Sequence, residues 1–176
     1  FVRTTREGLH LGIDAARADG LVVELGVRYG GSIRWLAERV PEVHGFDTFE
    51  GLPEAWHGLE KGAYTTHGVL PPVPPNVALH AGLFSDALPR FFAEHAGPIR
   101  FANLDCDLYA SAKSALDASA ERIGSGTVLA FDEYIVSPTW AEDEHKAWTE
   151  HAASRGLAFD YVGFGLFSRQ AIVKIR

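Results

Sequence analysis

Acidic side chains follow four apolar segments of the sequence, each at the point where the segment ends. Asp105 and Asp107 follow one segment, and Asp132 and Glu133 follow the next. Carboxylates that meet without partners cannot all stay ionised. An all-oxygen ligand set selects hard cations such as Mg²⁺, Mn²⁺ or Ca²⁺. We therefore expect either a metal ion or retained protons among these acids.

These acids also admit structural roles. Asp is a favoured helix N-cap, so Asp107 would cap the helix that starts near Ser111. Lys113 and Arg100 are available as ion-pair partners for the group. Under this alternative the carboxylates stabilise the fold and carry no chemistry.

A glycine-rich turn follows the first apolar segment, between Glu24 and Ser32. Its Gly-x-x-x-Gly spacing differs from the Gly-x-Gly-x-x-Gly that brings a pyrophosphate onto a helix N-terminus. Glu24 would repel a pyrophosphate but attract an ammonium group, and Asp47 is placed to accept hydrogen bonds from ribose hydroxyls. The implied ligand has a ribose and a cationic amino acid portion and no phosphate. The alternative is that Gly26 and Gly30 serve only the packing of a tight turn.

The elements that must position these residues alternate between strand and helix. Apolar, β-branched runs predict buried parallel strands, and 3.6-residue periodicity predicts the helices between them. The last two strands are joined by a short link, which indicates an antiparallel hairpin. The chain therefore predicts one α/β domain over residues 1–176, with a Rossmann-like, doubly wound, mostly parallel seven-stranded sheet. The predicted strands are 21–25, 43–47, 77–80, 99–104, 127–131, 158–162 and 171–175, and the helices include 5–18, 32–39, 111–123 and 141–154.

Two irregular segments are expected to shape the pocket of a second substrate. The stretch 53–76 is long for a loop in a small domain, and such loops are often lids or binding loops. A solvated insertion is the alternative. The segment 137–145 is the other candidate. His57, His67 and His145 lie in these segments and are expected to be solvated, while Cys106 is expected to pack in the interior.

Composition excludes several classes of function. The net charge of −7 and the lack of any Lys/Arg-rich block argue against a nucleic-acid partner. No apolar run is long enough to cross a bilayer, and no signal peptide is visible. The single cysteine rules out an intrachain disulfide framework. We expect a cytoplasmic protein with a small-molecule partner and no membrane partner, and a homodimer is compatible with these features.

Several motifs together resemble the macrocin O-methyltransferase family of class I methyltransferases, and they fall in the order of that family. The likeness runs from about residue 4 to the end. The second and third motifs are more specific than the glycine turn. The motifs are Val-Glu-Leu-Gly-Val-Arg-Tyr-Gly-Gly-Ser at 23–32, His-Gly-Phe-Asp-Thr-Phe-Glu-Gly-Leu-Pro at 44–53, Leu-Asp-Cys-Asp-Leu-Tyr at 104–109 and Phe-Asp-Glu-Tyr at 131–134.

The resemblance implies an enzyme that binds S-adenosyl-L-methionine (AdoMet) and Mg²⁺ (or Mn²⁺) and methylates a hydroxyl group of a small molecule. The methionine part of AdoMet would be held by Glu24, Gly26, Gly30 and Ser32, the ribose by Asp47, and the adenine by Gly82 and Phe84. Thr48 and Asp105 would also border the cofactor. The metal would be bound by Asp105, Asp132 and Glu133, and Asp107 would be the base.

The sequence departs from the family in two places. Asp132-Glu133 replaces the usual Asp-Asp pair after the fifth strand. The family's N-terminal segment over the acceptor pocket is mostly absent, so the acceptor need not be an antibiotic sugar.

Two other functions are compatible with such a sheet, because one fold hosts many chemistries. A nicotinamide-dependent oxidoreductase is disfavoured by the glycine spacing and by the lack of a Tyr-x-x-x-Lys pair. A non-catalytic AdoMet-binding module is disfavoured by the retained acids, since a pure binder has no need of such repulsive groups.

Overall fold

Helices and strands alternate along most of the chain, as the apolar periodicity predicts. The computed structural model of the protein describes residues 1–136 and 138–176. The helices are α1 (Thr5–Ala15), α2 (Gly31–Ala37), α3 (Phe84–Glu94), α4 (Tyr109–Ser119) and α5 (Glu144–Arg155). The strands are β1 (Leu21–Leu25), β2 (Val43–Asp47), β3 (Val77–Ala81), β4 (Ile99–Leu104), β5 (Val128–Phe131), β6 (Phe159–Gly165) and β7 (Gln170–Ile175).

The strands form one seven-stranded sheet in the order β3-β2-β1-β4-β5-β7-β6. Strands β1 to β5 pair in parallel, while β7 runs antiparallel to both β5 and β6. This arrangement confirms the predicted Rossmann-like α/β fold with its closing antiparallel hairpin. The strand order reverses at β1 and β4, so a crevice opens beyond the carboxyl ends of these two strands.

Apolar layers cover both faces of the sheet. On one face Leu88 of α3, Leu116 of α4 and Trp148 of α5 are almost fully buried. On the other face α1 and α2 contribute Leu9 and Ile33, which are also fully buried. Because both faces are covered, a central strand such as β1 carries apolar residues almost throughout rather than at alternate positions.

Helices α4 and α5, which follow β4 and β5, begin at different residues from those predicted. Helix α4 begins at Tyr109, before the predicted Ser111. Helix α5 begins at Glu144, because the preceding Trp140–Glu142 forms a separate 3₁₀ turn. Gly156 ends α5 in the left-handed conformation, at φ 64°. None of the helices in residues 1–136 and 138–176 is long and apolar enough to cross a membrane.

Candidate active site

A pocket of about 300 Å³ opens beyond the carboxyl ends of the parallel strands. This is the edge at which open α/β sheets bind their ligands. The predicted site residues in its wall are Gly26, Asp47, Thr48, Gly82, Phe84, Asp105, Asp107 and Glu133. The predicted residues that do not line the pocket, as far as the described chain shows, are Glu24, Gly30, Ser32 and Asp132.

Gly26 lies where two loops of the backbone meet. Its φ is 100°, a conformation that side chains rarely adopt. A Cβ atom at this position would overlap the carbonyl oxygen of Asp105. The glycine is therefore required by the close approach of the loops after β1 and β4, whatever ligand the turn binds.

Asp47, at the end of β2, holds the turn that follows β1. Its Oδ2 accepts the backbone N–H groups of Val27 and Arg28, both at 2.8 Å. Its Oδ1 accepts the N–H of Phe49 at 2.8 Å. Oδ1 keeps capacity for another donor, because each carboxylate oxygen accepts about two hydrogen bonds. Asp47 is thus a rigid acceptor in the pocket wall, and its contact with a ribose stays a prediction.

Glu24 is fully buried below the pocket rather than in its wall. Its Oε1 accepts the side-chain amide of Asn103 at 2.9 Å. Burial raises the pKa of Glu24 to about 8, although the Ser32 hydroxyl and the Asn103 amide oppose the rise. Glu24 is therefore mostly protonated at neutral pH, which weakens the expectation that it attracts an ammonium group directly. Its position favours a role in joining β1 to β4.

The predicted acids do gather at the ends of β4 and β5. Burial raises the pKa of Asp107 to about 6, and the charges of Glu133 and Asp132 add to the effect. Burial also raises the pKa of Asp132 to about 6, with the neighbouring Glu133 adding to the rise. The pKa of Asp105 lies well above its ordinary value because of burial and the charge of Asp132. Burial and mutual repulsion therefore shift these carboxyl groups toward their protonated forms, which is the direction expected for acids that meet without partners.

The cap and the two ion-pair partners that the sequence offered for these acids are not found in the described residues. Lys113 pairs with Asp117 on its own helix at 2.6 Å, and Arg100 donates to the carbonyl of Ala18 at 3.0 Å. The N-cap of α4 is Leu108, and no side chain caps this helix. Asp107 therefore does not act as its cap.

One acid has a cationic partner that the sequence did not indicate. Arg169, in the turn between β6 and β7, pairs with Glu133 at 2.9 Å. Arg169 has a positive φ of 57°. Its charge also lowers the pKa of Asp132, although burial outweighs it.

The predicted metal site is not supported by this arrangement. In residues 1–136 and 138–176 no three His, Cys, Asp or Glu side chains form a group that could hold a metal ion. Glu133 is instead engaged with Arg169 through Oε1. The donors as placed do not fit an ion, and a magnesium site formed by Asp105, Asp132 and Glu133 stays a prediction of the family resemblance.

The long irregular segment 53–76 does reach the pocket. Pro53 and Tyr64 line the pocket wall. The Arg28 guanidinium lies 4.4 Å from the centre of the Tyr64 ring and 4.8 Å from that of Tyr29. Cation–π contacts of this length tie the segment to the turn after β1. The segment therefore borders the site, as predicted for a binding loop.

A hydrogen-bonded group fixes the same segment to the start of α5. His57 Nε2 lies 2.9 Å from Asp143 Oδ2 and 2.7 Å from the Thr139 hydroxyl. The Trp56 indole donates to the other Asp143 oxygen at 3.4 Å. His57 is exposed, as expected for a solvated histidine, and these hydrogen bonds were not predicted. The predicted pocket segment 137–145 supplies these partners from 139 onward, and Ser137 lies outside the described residues.

The other histidines of these segments differ from each other. His67 is exposed, as expected. His145 instead packs edge-on against Trp140 and Tyr134, with ring centres 4.6 and 5.0 Å away. Burial lowers its pKa. Aromatic neighbours from two segments thus partly cover His145, which was expected to be solvated. No pattern in the sequence predicted this packing.

Some pocket residues were not predicted. Arg28 lies within the glycine-turn motif, but the sequence did not mark it as a site residue. The structure gives it a positive φ of 49°. Tyr64 and Ser111 carried no specific signal. Cys106 was expected to pack in the interior, and it is 8% exposed and also borders the pocket.

The strand order and the pocket position define a Rossmann-like methyltransferase fold. A family model described as "Methyltransferase domain" matches residues 23–134, which span the pocket-forming loops after β1, β2, β3, β4 and β5. The chain belongs to this family, and it is an AdoMet-dependent methyltransferase. The match argues against the nicotinamide-dependent alternative.

Solved structures of methyltransferases share this fold. The chain is similar to CalS11, a calicheamicin methyltransferase, at 22% identity and a TM-score of 0.74, over 97% of this chain and 77% of that one. It is similar to the O-methyltransferase NovP at 19% identity and a TM-score of 0.66, over 96% and 78%. It is also similar to MycE from the mycinamycin pathway, solved with Mg and SAH, at 16% identity and a TM-score of 0.59, over 97% and 49%. A search of curated sequences found no match.

Proposed function

We propose that the protein transfers a methyl group from AdoMet to a hydroxyl group of a small molecule, such as a sugar or a natural product. One observation carries the proposal. Asp107 lines the same pocket as Gly26, Asp47 and Gly82. A proton acceptor and the groups suited to an adenosyl ligand thus share one cavity.

The pocket wall offers acceptors and apolar surface in the places where AdoMet would need them. Asp47 would accept hydrogen bonds from the ribose, since its Oδ1 accepts the N–H of Phe49 and has capacity for a further donor. Phe84 is half-buried at the start of α3 and would contact the adenine beside Gly82. Gly82, whose φ is 136°, is a glycine and so leaves this corner without a side chain. The turn at Gly26 would face the methionine portion.

Asp107 is suited to accept the proton of the acceptor hydroxyl. AdoMet supplies a methyl group on a positively charged sulfur. As the new C–O bond forms the S–C bond breaks, so the hydroxyl must lose its proton to a base. The pKa of Asp107, raised to about 6 by burial, leaves it mostly ionised at pH 7 yet basic enough to take the proton. The ionised Asp107 would also favour a positively charged cofactor in the pocket.

A small molecule is the acceptor that the charge of the protein favours. The net charge of −7 disfavours binding to a polyanion. CalS11 and NovP, which share the fold, are named for calicheamicin and for O-methyl transfer. The long segment 53–76 borders the pocket and would contact the acceptor together with residues from 139 onward.

Binding of AdoMet is the first test. Calorimetry should show saturable binding of AdoMet and its demethylated product and none of NAD or NADP. Asp47→Ala should weaken AdoMet binding by about tenfold or more, because a charged acceptor of ribose hydroxyls is lost. Asp160→Ala, which removes an exposed carboxylate on β6, is the control and should bind normally. Tight NAD binding without a response to AdoMet would contradict the proposal.

A methyl-transfer screen separates the enzyme from a non-catalytic AdoMet-binding module. Glycosides and catechols present hydroxyl groups of two different acidities to the same pocket. Transfer to either class, detected by mass, would support an O-methyltransferase. Tight AdoMet binding with no transfer to any hydroxyl acceptor would favour the binding module.

A further inference from the structure

Glu144 is a buried carboxyl group that neither the pocket wall nor the proposed chemistry uses. It lies in the first turn of α5 and is fully buried. Its Oε1 accepts the backbone N–H of Cys106 at 3.2 Å, and the Cys106 thiol lies 3.8 Å from the same oxygen. Burial raises the pKa of Glu144 well above its ordinary value, although the nearby backbone N–H groups of Cys106 and Glu133 oppose the rise. The carboxyl group of Glu144 therefore lies between the loops that follow β4 and β5.

The loop after β4 is strained at the proposed base. Asp107 has a φ of 61°, and the N–H of Leu108 donates to the carbonyl of Cys106 at 2.7 Å. This bond closes a three-residue turn with Asp107 at its centre. Turns of this kind with positive φ are rare and strained, and such strain persists only where the surroundings hold it.

Both backbone groups of Cys106 are thereby fixed. Its carbonyl closes the turn around Asp107, and its N–H is held by Glu144. A buried N–H group without an acceptor is costly, so an acceptor at this position stabilises the strained turn against opening. Glu144 supplies it from a distant part of the chain.

We propose that Glu144 is a positioning residue that holds the strained turn and so directs the Asp107 carboxylate into the pocket. The inference rests on the proposed function for the role of Asp107. The property that matters is the hydrogen-bond acceptor of the side chain at position 144. A side chain of the same length without an acceptor should release the turn.

The single cysteine of the chain reports on this turn directly. Cys106 is largely buried, so opening of the turn should speed its labelling by a thiol reagent such as DTNB. The matched variants are Glu144→Gln, which keeps an amide oxygen as acceptor, and Glu144→Met, which keeps the side-chain length without a comparable acceptor. Both remove the ionisable carboxyl group near the thiol, so their difference isolates the hydrogen bond. Labelling is measured at low urea concentrations, where a rate independent of urea excludes global unfolding.

The Gln variant should label at a rate close to that of the wild type, and the Met variant about tenfold faster, as for loss of one buried hydrogen bond. Equal rates for Gln and Met would overturn the proposal. If the Met variant does not fold, a tenfold faster rate in the Gln variant alone would overturn it, and a wild-type rate would support it.

The same assay tests the proposed function separately. Cys106 borders the pocket, so saturating AdoMet should slow labelling in the wild type. Absence of this protection would count against AdoMet binding in the pocket, while the comparison of the Gln and Met variants would still decide the role of Glu144.

Discussion

A cluster of buried acids and a cluster of histidines can be compared in this protein, and they differ in their access to the pocket. The acid cluster consists of Glu24, Asp105, Asp107, Asp132 and Glu144, at the ends of β1, β4 and β5 and the start of α5. Two of its members, Asp105 and Asp107, open onto the pocket. Burial raises the pKa of each of these acids.

The imidazole cluster consists of His44 on β2, His80 on β3 and His95 at the end of α3. His44 Nδ1 lies 3.3 Å from His80 Nε2, and the His44 and His95 rings are 5.0 Å apart. His95 stacks on Phe91, and burial lowers the pKa of His44 to about 4. None of the three histidines lines the pocket, as far as the described chain shows.

In both clusters the pKa values are shifted toward the neutral form, for the same physical reason. Burial disfavours the charged form, which raises the pKa of an acid and lowers that of a histidine. Perturbed pKa values alone therefore do not mark a functional site. The access of Asp105 and Asp107 to a cavity is what separates the acid cluster from the imidazole cluster.

The largest effect is expected for the acid that faces the pocket. Asp107→Asn keeps the shape of the side chain and removes the base, so kcat should fall by roughly 10²–10⁴-fold. AdoMet affinity and Tm should remain nearly unchanged. Kinetics with an acceptor found in the methyl-transfer screen measure the effect. Asp117→Asn, on the exposed side of α4, is the matched control, and equal activity of both variants would remove Asp107 from the mechanism.

Glu24, the buried acid below the pocket, should affect the pH dependence of stability, because it binds a proton more tightly in the folded protein. Because the pKa of Glu24 is raised from 4.5 to about 8 in the folded protein, the folded state holds more protons than the unfolded state between these values. This contribution to stability is lost as the pH rises from 4.5 through 8. Glu24→Gln should therefore reduce the loss of unfolding free energy over this range, by on the order of 1–3 kcal/mol.

Urea unfolding at pH 5 and pH 8 measures this difference. Glu60→Gln changes an exposed glutamate in the segment 53–76 and should leave the pH dependence as in the wild type. Parallel curves for the wild type and Glu24→Gln would show that Glu24 is ionised in the folded protein over this range.

The imidazole cluster should show the opposite slope. The pKa of His44 falls from 6.5 to about 4 on folding, so the unfolded state binds more protons between these values. Stability is therefore lost as the pH falls from 6.5 to 4. His44→Gln should diminish this acid-side loss by about 1–2 kcal/mol at most. Unfolding at pH 7 and pH 4.5 checks it, with the exposed His67→Gln as control; an unchanged slope in His44→Gln would assign the acid sensitivity to other groups.

The smallest effect is expected from chelation on AdoMet binding. The proposed contacts at Asp47, Gly82 and Phe84 need no ion. EDTA should therefore change the Kd for AdoMet by no more than about twofold, which is the variation expected when two sites act independently. Turnover is the sharper readout. Loss of turnover in EDTA with recovery in Mg²⁺ or Mn²⁺ would support the predicted metal site. It would also imply that Glu133 leaves Arg169 when the metal binds.

Much of the fold could be predicted because the signals are local. The apolar runs at β1 and β4 and the helical periodicity between strands need only neighbouring residues to be recognised. The same holds for the turn after β1 and for Asp47 at the end of β2, whose position follows from the strand before it. Alternation of strand and helix then placed these strand ends at one edge of the sheet.

The contacts within the site were decided by tertiary structure. Arg169 reaches Glu133 only because the closing hairpin pairs β7 with β5, and Glu144 reaches Cys106 only because α5 packs beside α4, the helix that follows the Cys106 loop. No periodicity in the sequence encodes such pairs, since the partners lie 36 and 38 residues apart. Which acid is protonated, paired or open to the pocket depends on the burial that packing creates. The sequence therefore determined the edge of the sheet where the carboxylates gather, and the packing of α5 and the hairpin determined what each carboxylate can do.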